Sequence, residues 1–418
     1  MGYLKTTRAA AAGAVAIALF AVSCSSGSSG SGKPTGSSSG SSSKAATQSI
    51  TVGVLTDATG VASSANKTFE DGIKAGVVYA ARNGINLKYV VADSQTSPSA
   101  ILSGAQKLVT QDHVPVVLAV SSLTFAAAPY LTAKHIPVIG AAADGPEWAK
   151  STNMFAISGQ LHTDRASTIY GDFFKQQGVT TVGTLGYGIS PTSADFAQIA
   201  ATSAKHAGLK VGYVNTKFPF GSTNVQPVAA AMKSAGVDGF TAAVDPNTGF
   251  ALVTSLRQSG SDPKVSLLPT GYGGDVQQAG PGALQAAQNV YFFIQGEPVE
   301  MQTPATKQFE ADLRSAGIKG EPTYAMYNGY LSVGLLVRAL KSAGPNATAA
   351  SITTALNGIH NYDGLGLWGG RTSDPNDRNK TSASGENCLW FTKLVGTTFQ
   401  VVKSAAPLCG TDIPGGTG

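Results

Sequence analysis

VADSQTSPSAILSGAQKLVTQDHVPVVLAVSS, Val91 to Ser122, is the stretch that decides the fold. Its first residues close an apolar run, LKYVVAD (Leu87–Asp93), which reads as a strand. AILSGAQKLVTQ (Ala100–Gln111) follows as a helix, and VPVVLAV (Val114–Val120) is a second strand. Continuous β-branched strands separated by helices imply a parallel sheet covered on both faces. Upstream, ITVGVLT (Ile50–Thr56) is another buried strand, and FEDGIKAGVVYAAR (Phe69–Arg82) has apolar residues at positions 69, 73, 77 and 80, the spacing of a helix. Downstream come a helix over Thr124–Lys134 and the strand IPVIGA (Ile136–Ala141).

The pattern then restarts. A helix over Thr163–Gln177 leads to strand Thr181–Tyr187 and helix Thr192–Ala207. Strands at Leu209–Val214, Gly239–Val244 and Lys264–Pro269 alternate with helices at Val225–Ser234 and Thr248–Ser259. NVYFFIQ (Asn289–Gln295) reads as a further strand, followed by helices at Pro304–Ala316, Pro322–Ala343 and Ala349–Leu356 and strands near Leu389–Lys393 and Phe399–Val402. Two βα series of similar size predict an α/β protein of two doubly wound, Rossmann-like lobes. The expected division gives residues 49–158 plus 295–362 to the first lobe and 159–294 plus 363–418 to the second. Several crossings between lobes make a hinge, and ligands in such folds sit at the carboxyl ends of the strands.

The N-terminus has a different character. Lys5 and Arg8 precede an apolar run from Ala9 to Val22, followed by almost pure serine and glycine. That run is shorter than the roughly 20 residues of a spanning helix, and its layout is that of a secretory leader, residues 1–23. Ala21-Val22-Ser23-Cys24 resembles a bacterial lipoprotein box, although Leu is usual where Ala21 stands. The resemblance implies an acylated Cys24 anchored in the lipid bilayer, with residues 24–48 as a flexible tether; the alternative is an ordinary thiol after plain cleavage. The expected location is the outer face of the cell membrane.

Charged residues make up 13% of the chain, well under the usual quarter. The net charge is +5, or +3 once Lys5 and Arg8 leave with the leader, and no Lys/Arg cluster supports nucleic-acid binding. The five histidines are scattered, so neither a metal site nor a cofactor is expected. Cys388 and Cys409, a late isolated pair in an exported chain, read as one disulfide; two separate thiols are the alternative. GSSSG (Gly36–Gly40) fits a nucleophile-elbow pattern but lies in the tether. GLGLWG (Gly364–Gly369) fits GxGxxG with no helix after it. Neither supports an enzyme.

Val91–Ser122 resembles the extracellular binding proteins of branched-chain amino-acid (Leu/Ile/Val) ABC transporters. So do IPVIGAAADGPEW (Ile136–Trp148) and PTYAMYNGYLSVGLLVRALKSAG (Pro322–Gly344). The resemblance spans Ser49 to about Leu394 and implies a periplasmic binding protein of type I, with three hinge crossings and closure around a small solute. It also implies an amino acid or related solute as ligand and an ABC permease in the membrane as partner. A sensor of the same fold signalling to a membrane partner is the alternative, as is a receptor for amide, urea or aromatic-acid solutes.

An amino acid needs donors for its carboxylate and an acceptor for its ammonium. Ser121 and Ser122 stand before a helix, where free N–H groups and the positive dipole end favour an anion; either serine can instead be an N-cap. The family has a Thr hydroxyl in the loop after the next strand. Here that loop is Ala141-Ala142-Ala143, leaving backbone contacts at Ala142 and Ala143, with Asp144 one position on. The resemblance places an acidic ammonium partner at Asp245, although Asp-Pro-Asn-Thr also reads as a helix cap. Tyr187, Tyr272 and Tyr324 are candidate contacts that could equally be core.

Overall fold

The computed structural model describes residues 48–159, 162, 164–280, 282–378, 388–402 and 406–415. The leader, Cys24 and the tether up to residue 47 lie outside the described residues, and Gln48, expected to end the tether, instead begins the first strand.

The first lobe is built on five parallel strands: β1 (Gln48–Thr56), β2 (Ile85–Asp93), β3 (Val117–Val120), β4 (Val138–Gly140) and β5 (Met154–Ala156), in the order β2-β1-β3-β4-β5. Val52, Val54 and Leu55 of β1 are fully buried, as a strand covered by helices on both faces requires. β5 is only three residues long, too short to stand out as an apolar run, and the sequence reading passes over it.

The second sheet has eight strands. β6 (Thr181–Tyr187), β7 (Lys210–Phe218), β8 (Gly239–Ala243), β9 (Val265–Leu268) and β10 (Tyr291–Ile294) are parallel, and β11 (Cys388–Val395) and β12 (Thr398–Val401) extend them antiparallel in the order β12-β11-β10-β9-β8-β6-β7. β13 (Leu408–Cys409) pairs with β11, and a Cys388–Cys409 disulfide joins the two. The sequence reading anticipates the α/β class and its two doubly wound lobes; the mixed C-terminal edge departs from an all-parallel sheet.

After β10 the chain returns to the first lobe, where helix Tyr324–Ala343 packs along helix Phe69–Arg82. Glycines permit the close approach. A Cβ on Gly72 would lie 2.2 Å from the Met326 carbonyl, and one on Gly329 would lie 2.4 Å from the Phe69 carbonyl. A bidentate pair ties helix Pro304–Ser315 to the same helix Phe69–Arg82, both oxygens of the buried Asp312 carboxylate accepting from the half-exposed Arg82.

The first crossing between lobes corrects one expectation. The helix anticipated from Thr163 begins at Ile169, because the preceding backbone is bonded to the C-terminal segment. Thr168 N–H donates to Thr411 O at 2.9 Å, and Ile413 N–H donates to Ala166 O at 2.7 Å. Backbone groups bonded to the C-terminal segment in this way cannot also form the i to i−4 bonds of a helix.

Candidate functional site

The carboxyl ends of both sheets face each other across a cavity of about 260 Å³. From the first lobe it is lined by Asn66, Ser122, Ala141, Ala142, Ala143 and Asp144, and from the returning helix by Tyr324. The second lobe contributes Tyr187, Thr192, Ser193, Phe196, Phe220, Asp245 and Thr270. The crossing after β5 supplies Ser158, His162, Arg165 and Ser167, followed by Ile169 and Tyr170 of the next helix; Phe293, Leu389 and Asp412 complete the wall.

Of the residues singled out by sequence, Ser122, Ala142, Ala143, Tyr187, Asp245 and Tyr324 meet in this cavity; Ser121 and Tyr272 do not line it. Ser121 points its hydroxyl inward to Asp57. Tyr272 is a core residue: its hydroxyl donates to Glu300 at 2.5 Å and its ring packs edge-on against Phe399.

Asp57, at the end of β1, organises the first lobe's side. Fully buried, it accepts from Asn66 Nδ2 at 2.8 Å, from the Ser94 and Ser121 hydroxyls, and from the Ser122 N–H at 2.8 Å. Four donors drawn from three segments, those that follow β1, β2 and β3, fix these loops. Sequence reasoning misses it because Asp57 begins a polar turn and its partners are spread over 65 residues. The backbone N–H groups of Ala142 and Ala143, by contrast, have no partner among the described residues.

Asp245 serves as the N-cap of helix Pro246–Gln258, accepting from Thr248 N–H at 3.2 Å. Its carboxylate also receives the Tyr187 hydroxyl and the Ser64 hydroxyl, the latter at 3.3 Å, and Thr248 Oγ1 lies 2.8 Å away. With about four lone-pair sites on a carboxylate, this one is filled. Burial and the adjacent Asp245 charge push the Tyr187 phenol well up, so Tyr187 remains a donor.

Side-chain hydrogen bonds join the lobes across the cavity. Ser64 to Asp245 is one; another is Ser190 Oγ, which donates to Asp144 Oδ1 at 2.7 Å. Asp144 is half-buried, its accessible surface facing the enclosed space. Burial pushes its carboxyl up to about 7; the Ser190 bond opposes the rise and the Asp57 charge reinforces it. Behind it, Glu147 is buried with neither oxygen bonded among the described residues, and burial holds it at about 7 as well. Tyr324 is pushed up to about 12, chiefly by burial.

The aromatic wall lies in the second lobe. Tyr170, Phe196 and Phe293 pack against one another with centroids 5.0–6.0 Å apart, and Phe220 packs edge-on against Tyr187 at 4.9 Å. Such faces take a flat apolar body in offset or edge-on contact.

Solved structures with the same fold include a solute-binding protein from Rhodopseudomonas palustris in complex with 4-hydroxybenzoate. It is 18% identical over 87% of this chain and 98% of that one, with a TM-score of 0.70. The leucine-binding protein LivK of Thermotoga maritima is 15% identical over 85% and 98%, TM-score 0.69. The substrate-binding protein LivJ of Streptococcus pneumoniae, in complex with isoleucine, is 20% identical over 85% and 100%, TM-score 0.69. No curated protein matches the sequence. Residues 49–398 match the family described as periplasmic binding protein, a family of solute-binding proteins rather than enzymes. The chain belongs to that family.

Proposed function

We propose that this chain is a lipid-anchored, extracytoplasmic receptor that captures a small carboxylate with a flat apolar body and delivers it to an ABC permease. The cavity's aromatic wall is the observation that carries the reading: Tyr170, Phe196, Phe220 and Phe293 offer ring faces and edges to a solute of similar shape. Polar groups around the rest of the wall fix orientation. Ser122, Asp144 and the N–H groups of Ala142 and Ala143 suit a hydroxyl or similar group that both donates and accepts. Among proteins of this fold, those solved with 4-hydroxybenzoate and with 3,4-dihydroxybenzoic acid hold ligands of this kind.

The amino-acid reading has weaker support in the geometry. Its ammonium needs an acceptor, and Asp245 is filled by protein donors. Asp144 is the acceptor that would serve instead, since its carboxyl lines the cavity. Ligand binding stabilises the closed state only through contacts made across both lobes, and docking of that state on the membrane partner completes delivery.

Calorimetric titration of the purified full chain, unfolded and refolded to strip bound solute, separates the two readings. Micromolar binding of 4-hydroxybenzoate with none of leucine, isoleucine or valine supports the aromatic carboxylate. Binding of the amino acids alone, lost in Asp144→Asn, overturns it in favour of the second reading.

A further inference from the structure

The crossings between the lobes are bonded to one another, and two of them bring a neutral polar side chain to the cavity. The first crossing follows β5 and the second follows β10; the third leads back toward β11 and includes Leu367 and Ser373. On the first, Ile157 N–H donates to Gly140 O at 2.9 Å, and Ile157 O accepts from the Ser373 hydroxyl at 2.6 Å. On the second, Glu297 N–H donates to Leu367 O at 2.8 Å, and Glu297 O accepts from the Tyr327 hydroxyl at 3.0 Å. These bonds fix the backbone beside Ser158 and Gln295.

Ser158 is 5% exposed, Gln295 is half-buried, and both line the cavity. Neither the Ser158 hydroxyl nor the Gln295 amide has a hydrogen-bond partner among the described residues. Polar groups left unbonded at a buried wall are costly until a solute or water completes them. Gln295 follows Phe293 by two positions at the end of β10, so it borders the ring cluster that takes the flat body.

Charge around the cavity favours this end for an anion. Asp144 and Asp245, without a basic partner among the described residues, stand at the strand ends, with Asp57 buried behind Ser122. They repel a carboxylate placed beside them. On the hinge side the charges are paired within the protein: Arg165 Nη1 lies 3.1 Å from Asp412 Oδ2, and His162 Nε2 lies 3.2 Å from Asp377 Oδ2. A serine hydroxyl adds one O–H donor there and a glutamine amide two N–H donors.

We propose that Ser158 and Gln295 receive the ligand's carboxylate at the hinge, and that Gln295 sets the preference for a carboxylate over a neutral amide. The inference rests on the carboxylate reading above and adds the orientation: carboxylate toward the crossings, hydroxyl toward Asp144.

Calorimetric titration of the full chain with 4-hydroxybenzoate and its neutral isostere 4-hydroxybenzamide tests this. Ser158→Ala, a small change at a fixed backbone, should weaken the benzoate about ten- to a hundredfold, the worth of a hydrogen bond to a charged group. Gln295→Glu places a carboxylate against the ligand's own, and should weaken the benzoate about a hundredfold or more. The same variant offers the benzamide N–H groups an acceptor, and should bind it at least as tightly as the unaltered chain does. Gln295→Met, which keeps the length, should lose about ten- to a hundredfold for the benzoate and less for the benzamide. Parallel loss of both probes in Gln295→Glu, or benzoate affinity within about twofold of the unaltered chain in Ser158→Ala or Gln295→Met, overturns the assignment and leaves the carboxylate reading standing. If the unaltered chain binds neither probe, the functional reading itself fails, and this assignment with it.

Discussion

Replacing Asp275 with asparagine should remove a large part of the protein's loss of stability between pH 5 and pH 7. Asp275 opens the short helix Gly274–Gln278 and is 1% exposed. One oxygen accepts from Gly271 N–H at 3.3 Å, and the other has no hydrogen-bond partner among the described residues. Burial pushes its carboxyl up to about 8 from an ordinary 3.8, with the Gly271 bond opposing the rise. A carboxyl raised in the folded state binds more protons there than in the unfolded chain throughout the interval between the two values. Folding therefore takes up a proton, and stability falls as pH rises from about 4 to about 8. The slope is about 1.4 kcal/mol per pH unit for one group, or roughly 3 kcal/mol between pH 5 and 7. Asparagine keeps the shape and cannot ionise, so the variant's margin over the parent should grow by roughly 3 kcal/mol between pH 5 and pH 7. At ~2 cal/mol/K per residue over a folded unit of about 370 residues, that difference is roughly 4 °C in Tm. Thermal unfolding of both proteins across pH 5–7.5 supplies the assay. Melting curves that stay parallel over the whole range would refute the argument, since they would mean Asp275 is ionised or solvated in the folded chain.

Three further outcomes are expected. Ser190→Ala removes both the N-cap of helix Pro191–His206 and the bond to Asp144 across the cleft; Tm should drop by the equivalent of ~1 kcal/mol, and ligand affinity about threefold to tenfold, measured by calorimetry. Gly329→Ala forces a methyl to 2.4 Å from the Phe69 carbonyl, and the urea midpoint should fall by an amount corresponding to about 1–3 kcal/mol, whereas Gly344→Ala, with nothing within 4 Å of its Cβ, pays only for its left-handed backbone, φ 82°. Cys24→Ser should shift the chain from the detergent phase to the aqueous phase on phase partitioning of expressing cells; retention in the detergent phase would sink the acylated anchor.

The strand and helix alternation was legible because each buried run, such as ITVGVLT or VPVVLAV, carries its burial in composition alone. The loops after the strands were legible as the lining of a cleft because the fold class places ligands there, and six of the eight marked residues share one cavity. Ser121 and Ser122 illustrate the limit. Adjacent in sequence, they diverge because Asp57 draws the Ser121 hydroxyl inward and leaves the Ser122 side chain at the cavity. Asp245 is another case: its position at the end of β8 was readable, but the Tyr187 and Ser64 hydroxyls that fill it come from 58 and 181 positions away. The Arg165–Asp412 pair depends on how the C-terminal segment pairs with a crossing, a contact with no periodic signature.

The central claim is that the cleft encloses an aromatic carboxylate, and the solute that co-purifies with the chain tests it most directly. The chain would be purified without unfolding, then denatured, and the released small molecules identified and quantified by mass spectrometry beside a Phe196→Asp variant that places a charge on the aromatic wall. The account predicts a near-stoichiometric carboxylate with a flat apolar body from the unaltered chain and its absence from the variant. A stoichiometric aliphatic amino acid, or the same solute retained by Phe196→Asp, would contradict it.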